Sequence, residues 1–470
     1  MRDGGRGKTM VKDMTRGKPL GLILGFFFPM VLGNLFQQFY NMADTIIVGR
    51  FVGVQALAAV GSTGSINFLV IGFVTGICSG FSLPLAQSFG AGDMGSLRRG
   101  VAHSLYLGVI ITVVLTAVTV WGTPMILTLM QTPADIFQDA ATYISIIFWG
   151  IGATMLYNML AGILRALGDS RTPLYFLILS SLLNVGLDLL FILRFDLAVA
   201  GAAWATVISQ GVSGLLCLVY IVLRFPILHL GRQDLRPERR SAVRLLSMGL
   251  PMALQFSITA VGSTIIQTAV NTLGSQVVAA VTAGNKVQNI VTQPMETIGI
   301  TMATYCGQNL GAGRVDRIDH GIRLSLGLSL GYCVVAAVLT WFWGDAIALL
   351  FLDKSEVAIL AYTQEFLRIN ALFYPVLGVL FLLRNSLQGM GFGVPAMAAG
   401  VFELAARSLV AFLLVGRFAF DAICMANPAA WIFADILLIP VSLYELRQLR
   451  MHFIPPEPSA PSPCETEKAG

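Results

Sequence analysis

Charge is scarce in this chain. Asp, Glu, Lys and Arg together make up 12% of its 470 residues and 56% are hydrophobic, whereas soluble globular chains are about one-quarter charged. So little charge cannot cover a water-facing surface, which excludes a string of soluble domains and implies a polytopic membrane protein. Histidine is almost missing: His103, His229, His320 and His452 are the four, all in or near loops. There is no His-Glu-x-x-His, no Gly-x-Ser-x-Gly and no phosphate-binding Gly-x-x-x-x-Gly-Lys. The chain thus lacks the usual metal, nucleophile and nucleotide signatures, and neither enzyme activity nor a cofactor is expected. The six cysteines show no ligand spacing, so no metal centre and no disulfide framework are expected. A net charge of +5 sits in short loops and not in a basic, aromatic-interleaved stripe, which excludes nucleic acid as a partner.

What the chain has in abundance is long apolar runs. Runs of roughly 20 residues predict twelve spans, at approximately 19–41, 53–83, 100–121, 139–164, 173–193, 198–223, 245–272, 277–306, 320–343, 357–388, 394–416 and 422–446. The layout is a segment 1–18, a first six-helix bundle 19–223, a basic linker 224–244, a second bundle 245–447 and a Pro-rich tail 448–470 expected to be disordered. The first run lacks a small-residue cleavage pattern, so a span is expected there and not a removable signal. Basic residues cluster on one side: Arg98, Arg99, Arg165, Arg171, Arg224 to Arg244, Arg314, Arg317, Arg323, Arg447 and the N-terminal segment against Arg50, Arg194, Lys354 and Arg417 on the other. The positive-inside rule then predicts both termini in the cytoplasm.

The halves repeat. Gly90-Ala91-Gly92 and Gly100 recur as Gly311-Ala312-Gly313 and Gly321, a shift of 221, and Pro29-Met30 matches Pro251-Met252. Six spans return a chain to its starting side, so the halves must be related by a pseudo-two-fold along the membrane normal.

Intramembrane acids cost about 2.5–3.5 kcal/mol each at a helix centre and need a reason to persist. Asp44 ends the first span, and Asp188 lies two-thirds along the fifth with Asn184 one turn before it on the same face. Both acids fall in the outer half of the bilayer. Two carboxylates held close in a dry pocket resist double ionisation, so such a pair can carry a proton. In the second half Arg384, Glu403 and Arg407 read as a structural charge network. Glu296 and Asp435 are acids that could attract a cationic substrate.

The ordered set of Asp44 before Gly49, Ala58-Ala59-Val60-Gly61, the two Gly-Ala-Gly ends, Leu167-Gly168-Asp169-Ser170-Arg171-Thr172-Pro173 and Gln388-Gly389-Met390-Gly391 resembles the multidrug and toxic compound extrusion (MATE) family over residues 18 to 450. It is most similar to the DinF-like bacterial branch, whose Asn-x-x-x-Asp falls on Asn184 and Asp188. The resemblance implies an all-α, twelve-span antiporter that exports amphipathic organic cations against an ion gradient. It implies a coupling site of Asp44, Asn184 and Asp188 supported by Asn158 and Thr206, with Pro29 as a bending point. Protons are the expected coupling ion. Sodium at Asp44 and Asp188 is the alternative, although the acid that the NorM-like branch carries in its seventh span is missing here. Tyr40, Met155, Tyr157, Met252, Phe256 and Met295 are candidate cavity residues. A monomer in the cell (inner) membrane is expected. The rival reading is a flippase for lipid-linked saccharides, which would need more cavity cations than this chain offers.

Overall fold

The computed structural model describes residues 13–349 and 356–453, the side chains of Val54 and Asp345 excepted. Among them there is no strand. Lys354 and all but the first six residues of the expected tail lie outside the described residues.

Twelve passes can be traced. The first is Pro19–Ile47, prolonged by a π-helical turn, Val48–Val52, and the second joins Val54–Ser62 to Gly64–Gly90 at Thr63. Met94–Leu129 is the third. The fourth, Phe137–Trp149 and Ile151–Ala166, bends by 45° at Gly150. Arg171–Leu193 and Ala198–Arg224 complete the first half. Arg239–Asn271, Ser275–Gly311 and Val315–Ala348 follow, and the tenth pass, Val357–Leu372 and Tyr374–Gly389, bends by 55° at Phe373. The eleventh runs from Gly393–Leu409 through a π turn, Val410–Leu414, into Val415–Phe453. That last helix is broken at Ala419 (φ 46°, ψ −116°), where the twelfth pass begins. The eighth pass is too polar to qualify as a span by composition. It is tolerated because Thr297, Thr301, Gln308 and Asn309 are wholly buried inside the bundle.

The internal repeat has a conformational basis. Gly53 and Gly274 open the second and eighth passes with φ of 122° and 96°, Gly92 and Gly313 close them at 72° and 68°, and Gly168 and Gly391 close the fourth and tenth at 81° and 100°. Only glycine takes these angles without strain, so corresponding turns keep glycine at corresponding places.

The two halves meet at one face of the membrane, here the near face, which carries the loops 91–93, 167–170 and 225–238. Gly76 and Gly80 of the second helix lie on the backbone of Met252–Ala253 and Met248–Gly249 of the seventh. A methyl group on Gly76 would stand 2.7 Å from the Ala253 Cα. Closer to the near face Gly90 rests on the Gln308 backbone and, reciprocally, Gly311 on that of Gln87.

Three segments differ from the expected layout. The end of the leader, residues 13–18, is docked: Met14 is fully buried, its N–H donates to Gln308 Oε1 (2.9 Å) and its carbonyl accepts from Asn309 Nδ2 and Arg317 Nη2 (3.3 Å each). The linker ends early, since helix begins at Arg239, and it is strapped to the third helix by Tyr106, by His103 accepting from Glu238 N–H (2.8 Å), and by Arg98 with Asp234 (3.4 Å). Residues 448–453, expected in the tail, continue the last helix, and Arg450 pairs with Asp319 of the ninth. Backbone and ion-pair partners outweigh the polar composition in each case.

Candidate functional site

In the first half the site is built by four helices. Asp188 and Asn184, both 0% exposed, lie one turn apart on one face of the fifth helix. Asn184 Nδ2 donates to Thr206 Oγ1 of the sixth at 3.2 Å, and Tyr40 of the first helix lies near the same Thr206. Asp44 stands four residues before the π turn Val48–Val52, a helix irregularity that recurs at functional sites. Its carboxyl meets that of Asp188 within side-chain hydrogen-bond range. Apart from this mutual contact Asp44 Oδ1, both Asp188 oxygens and Asn184 Oδ1 have no donor, and no ion pair among the described residues includes either acid. Two ionised carboxylates about 4 Å apart repel by about 4 kcal/mol at an effective dielectric of about 20. What relieves that contact is a proton or a small hard cation such as Na⁺, which an oxygen-only donor set suits.

On the near-face side of this pair, and lined by neither acid, a cavity of about 100 Å³ opens between the first, fourth, fifth and sixth helices. Pro29, Tyr40, Tyr157, Asn158, Ser180 and Gln210 are among the residues that line it. Asn158 spends its amide on Thr154 O of its own helix (2.9 Å) and does not reach the acids. Tyr143 does stand beside them, buried on the outer half of the bent fourth helix. The sequence reading missed it because a tyrosine in an apolar run has no spacing that marks it.

The other cavity candidates are packed elsewhere. Met155 is 3% exposed and receives the Cys78 thiol, Met252 lies in the near-face seal with Leu83, Met248 and Ala303, and Met295 is wholly buried in the second-half core. Phe256 packs on Gly72 across the halves. Flexible thioethers filling gaps between helices account for the three methionines.

In the second half Arg384 Nη1 binds Glu403 Oε1 at 2.7 Å and Arg407 Nη2 lies 3.5 Å from Glu403 Oε2. Glu296 receives only the Gln293 amide, at 3.3 Å. Asp435 is buried, and its Oδ1 has no donor.

The chain matches the sequence model of the family described as MatE over residues 29–190 and 251–413, one match per half. It is 29% identical to the probable multidrug resistance protein YpnP of Bacillus subtilis (strain 168), over 88% of this chain and 90% of that one. It is 32% identical to the probable multidrug resistance protein YoeA of the same organism, over 72% and 74%. Its fold matches a solved structure titled as the outward-facing conformation of a multidrug resistance MATE family transporter of the MOP superfamily, with a TM-score of 0.88, 22% identity and coverage of 95% and 100%. Two six-helix halves, each matched separately by the family's sequence model, place the chain in the MatE family of multidrug efflux transporters, which are not enzymes.

Proposed function

We propose that this transporter exports amphipathic, mostly cationic organic compounds in exchange for protons, with Asp44 and Asp188 as the coupling pair and the near face in the cytoplasm. The observation that carries the reading is the contact between the buried Asp188 carboxyl and the half-buried one of Asp44, with no cationic partner on either. A pair that is stable only when it holds one positive charge alternates between loaded and empty, and drives transport if it can be reached from opposite sides in different conformations. Asn184 and Thr206 hold the fifth and sixth helices in register around the pair. The family-level kinship to multidrug resistance proteins supports the substrate class. The DinF-like branch is favoured by the match of Asn184 and Asp188 to its motif. The near face carries Arg98, Arg99, Arg165, Arg171 and Arg244, which supports its cytoplasmic placement and hence that of both termini. We take the working unit to be a monomer in the bacterial inner membrane.

Sodium is the second reading, favoured by the donor-free oxygens of Asp44, Asn184 and Asp188. Against a lipid-linked saccharide flippase stands the pairing of Arg384 and Arg407 with Glu403, which leaves few free cations for a pyrophosphate. The test is ethidium efflux from proteoliposomes under an imposed pH or sodium gradient, comparing wild type with Asp188→Asn. Efflux driven by the pH gradient and lost in the variant supports the proton reading. Efflux driven only by sodium replaces the ion, and none under either gradient, with folded protein, overturns the reading.

A further inference from the structure

The second half gathers three acids and two arginines from four helices: Glu296 on the eighth, Arg384 on the tenth, Glu403 and Arg407 on the eleventh, and Asp435 on the twelfth. Glu403 takes both guanidiniums, so Asp435 and Glu296 divide what remains of the field of Arg384. With every group ionised the cluster is one negative charge in excess. Its weakest member is Asp435, 6% exposed with Oδ1 unpartnered. An uncompensated buried charge costs several kcal/mol, which one bound proton removes. The charged groups acting on Asp435 from the helices packed against it are Arg384 and Glu403. Arg407 offers a further buried donor, Nη1, that has no partner. The cluster therefore has a spare donor and a spare acceptor, as a cluster with two pairings requires.

The tenth helix also reaches the near-face seal. Five residues past Arg384, the Gly389 carbonyl accepts from Gln87 Nε2 of the first half at 3.0 Å, and Gln388 Nε2 donates to Gln255 Oε1 of the seventh helix at 2.7 Å. A π turn, Val410–Leu414, follows Arg407 on the eleventh helix, as one follows Asp44 on the first. Opening the seal would release Gly389 and free the tenth helix to move Arg384 relative to Glu403 and Asp435.

We propose that this cluster is a second proton-binding site, separate from Asp44 and Asp188, in which Asp435 holds the proton while Arg384 is engaged with Glu403 and gives it up when Arg384 turns toward Asp435. The proton comes from water on one side of the membrane and leaves to water on the other, with no other chemistry. The site goes beyond the proposed coupling pair and depends on it only in that both serve an ion-driven cycle.

The test is infrared difference spectroscopy of the full chain in lipid on stepping the pH, in the Asp44→Asn/Asp188→Asn background that removes the first-half pair. A protonated-carboxyl band that disappears on raising the pH is expected. It should be missing after further substitution Asp435→Asn and retained in Asp435→Glu. Arg384→Gln, which removes the group that drives release, should keep the band to higher pH and serves if Asp435→Asn misfolds. A band unchanged by Asp435→Asn, a band unmoved by Arg384→Gln, or no titrating carboxyl in that background overturns the proposal. Because the first-half pair is missing from this background, failure here and failure of ethidium efflux are read independently.

Discussion

Gln87 and Gln308 are counterparts in the two halves, and each donates its side-chain amide to a carbonyl of the other half. Gln87 Nε2 reaches Gly389 O at 3.0 Å, and Gln308 Nε2 reaches Ala166 O at 2.8 Å. The two carbonyls correspond as well, each two residues before a positive-φ glycine, Gly391 and Gly168. Even the acceptors match, since Gln87 Oε1 takes Arg244 Nη2 (3.0 Å), from the start of the seventh helix, and Gln308 Oε1 takes Met14 N–H (2.9 Å), from the lead-in to the first. Two crossed clasps thus close the near face, and opening it must break both.

Each clasp is worth about 1 kcal/mol net, and more where a buried partner is orphaned. Gln87→Leu and Gln308→Leu should each shift the population away from the sealed state about fivefold or more. Gln308 should have the larger effect, because it is fully buried. Spin-label distance distributions across the near face would report this, and unchanged distributions would show that the clasps do not hold the seal.

The reciprocal glycines below the clasps admit no side chain. A Cβ on Gly90 or Gly311 would overlap backbone of the other half, whereas one on Gly186 meets nothing within 4 Å. Overpacking costs about 1–3 kcal/mol, so Gly90→Ala and Gly311→Ala should reduce efflux roughly 5–150-fold by disfavouring closure. Gly186→Ala should leave efflux intact and gain slightly in thermal stability from helix propensity. Equal efflux in all three proteins would contradict the reciprocal contact.

The clasp was within reach of the sequence. Ala86-Gln87-Ser88-Phe89-Gly90 and Gly307-Gln308-Asn309-Leu310-Gly311 align at the shift of 221 that exposed the repeat, but a glutamine near a helix end reads as an ordinary interfacial residue until its partner is seen. Asp44, Asn184 and Asp188 could be found because acids inside apolar runs are costly and rare. Tyr143, Gln210 and the bend at Phe373 leave no such mark. The docking of residues 13–18 rests on backbone carbonyls, which composition does not record.

That docked segment gives a stability prediction. Met14 is wholly buried and belongs to the core cluster that also holds Ile23, Phe26 and Met30 of the first helix and Met302 and Tyr305 of the eighth. Met14→Ala should destabilise the protein by about 2–5 kcal/mol at most, as for other buried Met truncations. A melting temperature within error of wild type would mean that the segment does not stay docked in the membrane.

The final prediction concerns the hydroxyl that joins the fifth and sixth helices beside the acid pair. Thr206→Val keeps the side-chain shape but leaves the Asn184 amide without its 3.2 Å acceptor. An orphaned buried donor costs about 1–3 kcal/mol, and the unsatisfied acceptors around it include the oxygens of Asp188, one turn along its own helix, and of Asp44. Asn184 should therefore turn to donate to a carboxylate, which favours the ionised pair over the protonated one. Proton loading then requires more acid, so the pH profile of gradient-driven efflux should move to lower pH by up to about one unit, equivalent to about 1.4 kcal/mol. Thr206→Ser keeps the hydroxyl and should restore the wild-type profile. A profile that stays in place in Thr206→Val while total efflux falls would instead assign Thr206 a purely structural part, holding the fifth and sixth helices together.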